Sequence, residues 1–176
     1  MTGSSTLHCQ RTLECAEGYL LLGMPDTALR ELARIRDWGP YSAEHLRLRG
    51  EILRTEKRHD EALAAFEQAD KLDPDDVSTL LGIAWCLKRL DRLDDAIETM
   101  HRAYRASPKE PIVLYNIACY YSLAGDKEQA LAWLGRALRM SPRFRELIPD
   151  ESDFDPLRHD PDFQFMVEDP SEGTGE

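Results

Sequence analysis

The sequence predicts an all-α fold, a solenoid of paired helices, and three observations predict it. The first is a period of 34 residues. Pro40, Pro74, Pro108 and Pro142 keep that step, and so do Ala28, Ala62, Ala96 and Ala130. The second is that further columns share the register. A small residue recurs at Ala16, Gly50, Ala84 and Ala118. Apolar residues recur at Tyr19, Leu53, Leu87 and Tyr121, at Leu29, Leu63, Ile97 and Leu131, and at Leu32, Phe66, Met100 and Leu134. Six columns in one register over four copies mark a tandem array. The third is helical spacing inside a copy. Leu80, Ile83, Ala84 and Leu87 follow i, i+3, i+4, i+7, and Ala96, Ile97, Met100 and Ala103 form a second such face.

Each copy is thus a helix, a short polar turn such as RLDRLDD, and a second helix. First helices are expected near 8–22, 43–56, 77–90 and 111–124, and second helices near 25–36, 59–71, 93–105 and 127–139. The periodic proline ends each second helix, because it lacks a donor N–H and disfavours helix at the residue before it. The alanine and glycine columns let the two helices approach where they cross. Paired acids, Asp75-Asp76 and Asp94-Asp95, fall at helix starts, where they favour the positive end of the helix dipole. The expected organisation is a disordered 1–6, repeats at 7–40, 41–74, 75–108 and 109–142, a capping segment at 143–167 and a disordered acidic tail at 168–176.

These columns resemble the tetratricopeptide repeat family, whose pattern places a large apolar residue, a small residue, tyrosine, alanine, phenylalanine and proline in turn. The second copy runs Leu46, Gly50, Leu53, Ala62, Phe66, Pro74. The fourth runs Leu114, Ala118, Tyr121, Ala130, Leu134, Pro142, with Gly125 at its turn. The first copy departs most, with Thr12 and Cys15 where large apolar residues are usual. Terminal repeats are often atypical because one side faces solvent. The resemblance covers about Cys9 to Pro142 and implies a right-handed α-solenoid of four repeats with short C-terminal capping helices.

Chemistry is sparse. There is no Gly-rich phosphate loop, no His-Glu-x-x-His and no Gly-x-Ser-x-Gly. No catalytic residue, cofactor or metal is expected. The four cysteines, Cys9, Cys15, Cys86 and Cys119, contain no Cys-x-x-Cys pair and read as reduced thiols. The net charge of −11 disfavours nucleic acid. No apolar run is long enough to span a bilayer, and the N-terminal MTGSSTLHCQ carries no basic start, so the expected setting is the cytoplasm.

The resemblance implies that first helices line a concave groove. Its expected residues are Arg47, Glu51 and Arg54 in the second copy, Leu81, Trp85, Lys88 and Arg89 in the third, and Ile112, Tyr115, Asn116 and Cys119 in the fourth. An aromatic and apolar floor beside arginine has the composition of a binding hot spot. The groove would take a peptide or protein with apolar anchors and acidic groups. The alternative is that Trp85 and Tyr115 pack between repeats or beneath another part of the chain. Some family members hold a chaperone's C-terminal carboxylate with lysine, asparagine and arginine. At the matching positions only Arg47 and Asn116 have suitable chemistry, so that ligand is not expected. The function read from the sequence is a non-enzymatic interaction module, a scaffold, adaptor or assembly factor. A secretion-type chaperone or a regulatory subunit of an enzyme complex is the alternative.

The end of the chain carries most of the acidity. From Pro149 to Glu176 there are ten acids and one base, Arg158. Within it, FDPLRHDPDF reads as a stop. Each Asp-Pro pair sets a cap and a first helical residue, so Asp155-Pro156 starts a single turn and Asp160-Pro161 a short helix. Phe154, Leu157, Phe163 and Met166 are the apolar payload that covers the last repeat. Similar trailers occur in bacterial proteins that this chain resembles. A second expectation is that the acids fold back over the groove arginines.

Overall fold

In a computed structural model, which describes residues 3–168, the chain is all-α. The helices are α1 (Gly3–Leu21), α2 (Pro25–Leu32), α3 (Ser42–Thr55), α4 (His59–Leu72), α5 (Val77–Arg89), α6 (Leu93–Ala106), α7 (Pro111–Leu123), α8 (Lys127–Met140) and α9 (Pro161–Val167). Short 3-10 turns occupy Gly39–Tyr41, Pro142–Glu146, Ile148–Asp150 and Ser152–Leu157. Residues 1–2 and 169–176, expected as disordered, lie outside the described residues. Residues 3–6 were also expected as disordered, yet they form the start of α1. No proline breaks the stretch before Leu7, and adding residues to an existing helix costs far less than nucleating one.

The chain divides into two compact units, one ending at Arg92 and one beginning at Leu93. The first holds α1 to α5. Four turns share one geometry across the chain. Gly23, Lys57, Asp91 and Gly125, spaced by the same 34 residues, all have positive φ, from 58° to 75°. Each turn closes with the same bonds. In the second, Lys57 N–H donates to Arg54 O (3.0 Å) and Arg58 N–H to Leu53 O (3.0 Å). In the fourth, Gly125 N–H donates to Ser122 O (3.1 Å) and Asp126 N–H to Tyr121 O (3.0 Å). This is the Schellman C-cap, which satisfies the last carbonyls of the helix and turns the chain for the next.

α2 stops at Leu32, four residues short of expectation. The chain leaves the helix to bury Trp38, which stacks on His45 with ring centroids 4.3 Å apart. Asp37 Oδ1 accepts from Gly39 N–H and sets the entry to α3. The shortened helix leaves a cavity of about 280 Å³ lined by Leu29, Leu32, Ile35, His45 and Arg49.

Further along the first unit, Phe66 of α4 is fully buried between two glycines. A methyl group at Gly50 of α3 would stand 2.8 Å from its ring, and one at Gly82 of α5 2.6 Å. The absence of a Cβ at both positions is what lets α3, α4 and α5 close on one aromatic ring. α5 is capped by Asp76, whose Oδ2 accepts from Thr79 N–H (2.8 Å) and Thr79 Oγ1 (2.7 Å). Burial pushes the Asp76 carboxyl up, but the Thr79 bonds and Arg47 outweigh it and hold the group below its usual value.

Gly82→Ala is expected to destabilise the protein by about 2 kcal/mol, because overpacking against a buried ring exceeds the roughly 1 kcal/mol that alanine gains over glycine in a helix. Urea unfolding of G82A and of G82A/F66L checks this; the double variant should recover stability relative to G82A. A pH effect follows from His45. Burial, and then the charge of Arg49, push its pKa down to about 4. The unfolded chain therefore binds the proton first, and stability falls as pH drops from about 6.5 toward 4. The loss is on the order of 2 kcal/mol, and it should be absent from the difference curve of His45→Phe.

Candidate functional site

The predicted groove residues separate into two groups with different fates. In the first unit, Arg47, Glu51 and Arg54 lie along one stripe of α3 at i, i+4, i+7, and Leu81, Trp85, Lys88 and Arg89 lie on α5. Arg47 is tied to Asp76 Oδ2 at 3.4 Å. Glu51 and Arg54 form an ion pair at 2.6 Å. Trp85 is half-buried and is the focus of the group. The Arg54 guanidinium carbon lies 4.9 Å from its ring centroid and that of Arg89 5.1 Å. Cation–π contacts of this length hold both cations beside the indole.

Two elements that sequence reasoning did not assign to the site complete it. His59, the first residue of α4, meets the Trp85 ring edge-on at 5.3 Å. Thr55, the last residue of α3, and Lys57 of the α3–α4 turn stand beside it. Together Arg54, Thr55, Lys57, His59, Trp85 and Arg89 line a cavity of about 430 Å³. Three of the six are formal cations and none is an acid. The signal available in the sequence was the register, since the turn of one repeat lies against the end of the next first helix.

In the second unit the expectation for α7 is corrected. Tyr115 and Cys119 are buried, at 3% and 1% exposure, and present no surface to a groove. The Tyr115 ring stacks on Phe144 at 4.7 Å and meets Phe154 edge-on at 5.6 Å, and Phe154 packs on Phe163 at 5.4 Å. The segment after the last repeat thus covers Tyr115. Burial drives the Tyr115 hydroxyl well above its usual pKa, and that hydroxyl has no hydrogen-bond partner among the described residues. Ile112 and Asn116 are half-buried, and the Asn116 amide donates to its own helix at Ile112 O (2.8 Å).

Phe154, Leu157 and Phe163 are buried, and Met166 packs half-buried near Gly135 of α8. α9 starts as its sequence implies, with Asp160 Oδ1 accepting from Asp162 and Phe163 N–H. The first Asp-Pro pair does not start its turn. The turn begins at Ser152, capped by Glu151, and Pro156 lies inside it. Asp155 instead accepts from Arg158 Nε at 3.0 Å. Arg158, the one base of this acidic stretch, also donates to Ile148 O (3.0 Å) and Glu151 O (2.9 Å), stapling the segment to itself. Lys127 Nζ pairs with Asp160 Oδ2 at 2.6 Å and donates to Asp162 Oδ2 at 2.8 Å. Three of the acids expected to reach the groove arginines are therefore paired inside the second unit. A second arginine–aromatic cluster, Arg136 over Trp133 (4.2 Å) and Tyr104 (5.0 Å), stands on α6 and α8. His101 joins it against Trp133 and bonds Tyr121 Oη at 2.9 Å.

No cluster of metal-ligating residues and no disulfide occurs among the described residues. None of the helices described is long and apolar enough to cross a membrane. Tetratricopeptide repeat models match residues 16–77, 53–111 and 112–144. Among solved structures, a crystal structure of MamA aligns with TM-score 0.69 at 18% identity, over 78% of this chain and 81% of that one. YrrB, described as a TPR protein with an unusual peptide-binding site, aligns with TM-score 0.69 at 19% identity, over 84% and 75%. A double mutant of MamA from RS-1 aligns with TM-score 0.68 at 16% identity, over 90% and 94%. At these identities the likeness is one of fold. No curated protein matches the chain.

The buried role of Tyr115 is tested by substitution. Tyr115→Phe removes a hydroxyl that burial leaves unpaired and should raise stability by about 1 kcal/mol. Phe154→Ala opens a cavity against Tyr115 and should cost about 3 kcal/mol. Thermal unfolding of both variants checks the pair, and a Tyr115→Phe variant less stable than the wild type would contradict the assignment.

Proposed function

Since this chain belongs to the tetratricopeptide repeat family, we propose that it is a non-enzymatic protein–protein interaction module. It holds a segment of a partner protein on the face shared by α3 and α5. The observation that carries this reading is Trp85, half-buried and flanked by Arg54 and Arg89. Tryptophan and arginine are the residue types that most often dominate binding energy at interfaces, and here they meet at an accessible cavity rather than in a closed core. Leu81, Lys88 and Glu51 frame the same face.

A chaperone carboxylate clamp is not part of this reading. Arg47 is occupied by Asp76, and Asn116 by the carbonyl of Ile112. We place the module in the cytoplasm, where the buried thiols of Cys9 and Cys86 stay reduced. Burial raises the pKa of the Cys86 thiol to about 11, which suppresses its reactivity.

The test is selection from a displayed peptide library on the full chain, with affinities measured by calorimetry. Selected peptides should bind Trp85→Ala at least about tenfold more weakly than wild type, the loss expected of a hot-spot aromatic. The variant's unfolding midpoint should stay close to that of the wild type. Equal affinity for both proteins would defeat the reading.

A further inference from the structure

The chemistry of the Trp85 cavity specifies its ligand more closely than the family does. We infer that this cavity is a docking site for a carboxylate-bearing segment of a partner protein, an acidic peptide whose Asp or Glu side chains meet Arg54, Lys57, His59 and Arg89. The inference rests on the interaction-module reading and adds the ligand class.

Two independent features carry it. One is charge. Six residues line the cavity, three are cations, one is an imidazole, and no carboxylate is among them. Glu51 pairs with Arg54 from the side of α3, leaving Lys57 and Arg89 to give the cavity a positive balance. A cation seated on an indole face keeps its orientation, and an arginine so held presents in-plane N–H donors that match carboxylate geometry. The Nδ1 atom of His59 is buried without a hydrogen-bond partner among the described residues.

The other feature is that the chain already binds carboxylates at the same register. Lys127 opens α8 as His59 opens α4, two periods of 34 residues apart. Lys127 donates to both acids of the Asp160-Pro161-Asp162-Phe163 sequence, at 2.6 and 2.8 Å, while Phe163 is buried. The Lys127 hydrogen bond holds Asp160 below its usual pKa, so the pair stays ionised. The second unit therefore fills, from its own chain, the position that α4 presents with His59 at a cation-lined cavity. An acidic residue followed by an apolar anchor satisfies both.

The probe is a capped peptide with the sequence of residues 159–168, HDPDFQFMVE, and a control with both aspartates between positions 159 and 163 replaced by asparagine. Binding is followed in ¹⁵N-labelled full-length protein by the indole N–H signal of Trp85, assigned with Trp85→Phe. The acidic peptide should move this signal saturably and leave the Trp38 signal in place. The asparagine peptide should bind about tenfold more weakly, as should the acidic peptide to Arg89→Gln or Lys57→Gln, and salt should weaken the acidic peptide alone. Equal affinity of the two peptides, or no effect of Arg89→Gln and Lys57→Gln, overturns the inference. If library-selected peptides require Trp85 but carry no acids, the interaction module stands and the carboxylate specificity falls. If nothing engages Trp85, both fall.

Discussion

The packing of one phenylalanine against two glycines is the constraint on which the first unit depends. The Phe66 ring needs the space of a missing Cβ on α3 and of another on α5. Cores are packed to crystal density, so that space is not available by relaxation. Gly50 belongs to the small-residue column of the array, but Gly82 does not. Its counterparts in the other copies are Glu14, Leu48 and Asn116. Glycine at 82 is thus a local adjustment to an aromatic residue where other copies carry Leu32, Met100 or Leu134. Once α3, α4 and α5 close on this ring, the end of α3, the start of α4 and the last turns of α5 converge. That convergence brings Arg54, His59 and Trp85 into one cavity.

Arginine and aromatic rings meet in both units, with different outcomes. In the first, Arg54 and Arg89 flank a half-buried Trp85 at a cavity. In the second, Arg136 lies over a buried Trp133 and donates to Tyr104 Oη, and His101 closes the cluster. The pairing is the same, but accessibility differs. A cation–π pair buried among further aromatics stabilises packing, whereas one at a cavity remains able to take a third group.

How far the site could be read in the sequence depends on whether a residue's neighbours are set by the period. Trp85, Arg54 and Arg89 follow from the register of first helices, and the structure brings them together. Lys57 was missed because it belongs to a turn and His59 because it opens a second helix, and neither enters a first-helix groove argument until the packing of the next helix is known. Tyr115 obeys the same register as Leu81, yet it is buried. What covers it is Phe144 and Phe154, from a segment outside the period. Within the ending FDPLRHDPDF, the Asp160 cap and the burial of Phe154 and Phe163 follow the local pattern of the sequence. The role of Arg158 was not, because its partners are backbone carbonyls of Ile148 and Glu151, which no side-chain pattern announces.

The 34-residue period by itself determined the helical pairs, their turns and the family, since proline positions, small-residue columns and 3.6-residue spacing are local consequences of backbone sterics and amphipathic burial. Gly23, Lys57, Asp91 and Gly125 show how strong that local rule is, for two of the four adopt the left-handed conformation without being glycine. Tertiary structure alone decided which members of the first-helix face remain open. Trp85 keeps a cavity, and Tyr115 loses its surface to the capping segment. The reason is that burial depends on contacts between residues distant in sequence, and two side chains at the same register have different surfaces when different segments lie against them.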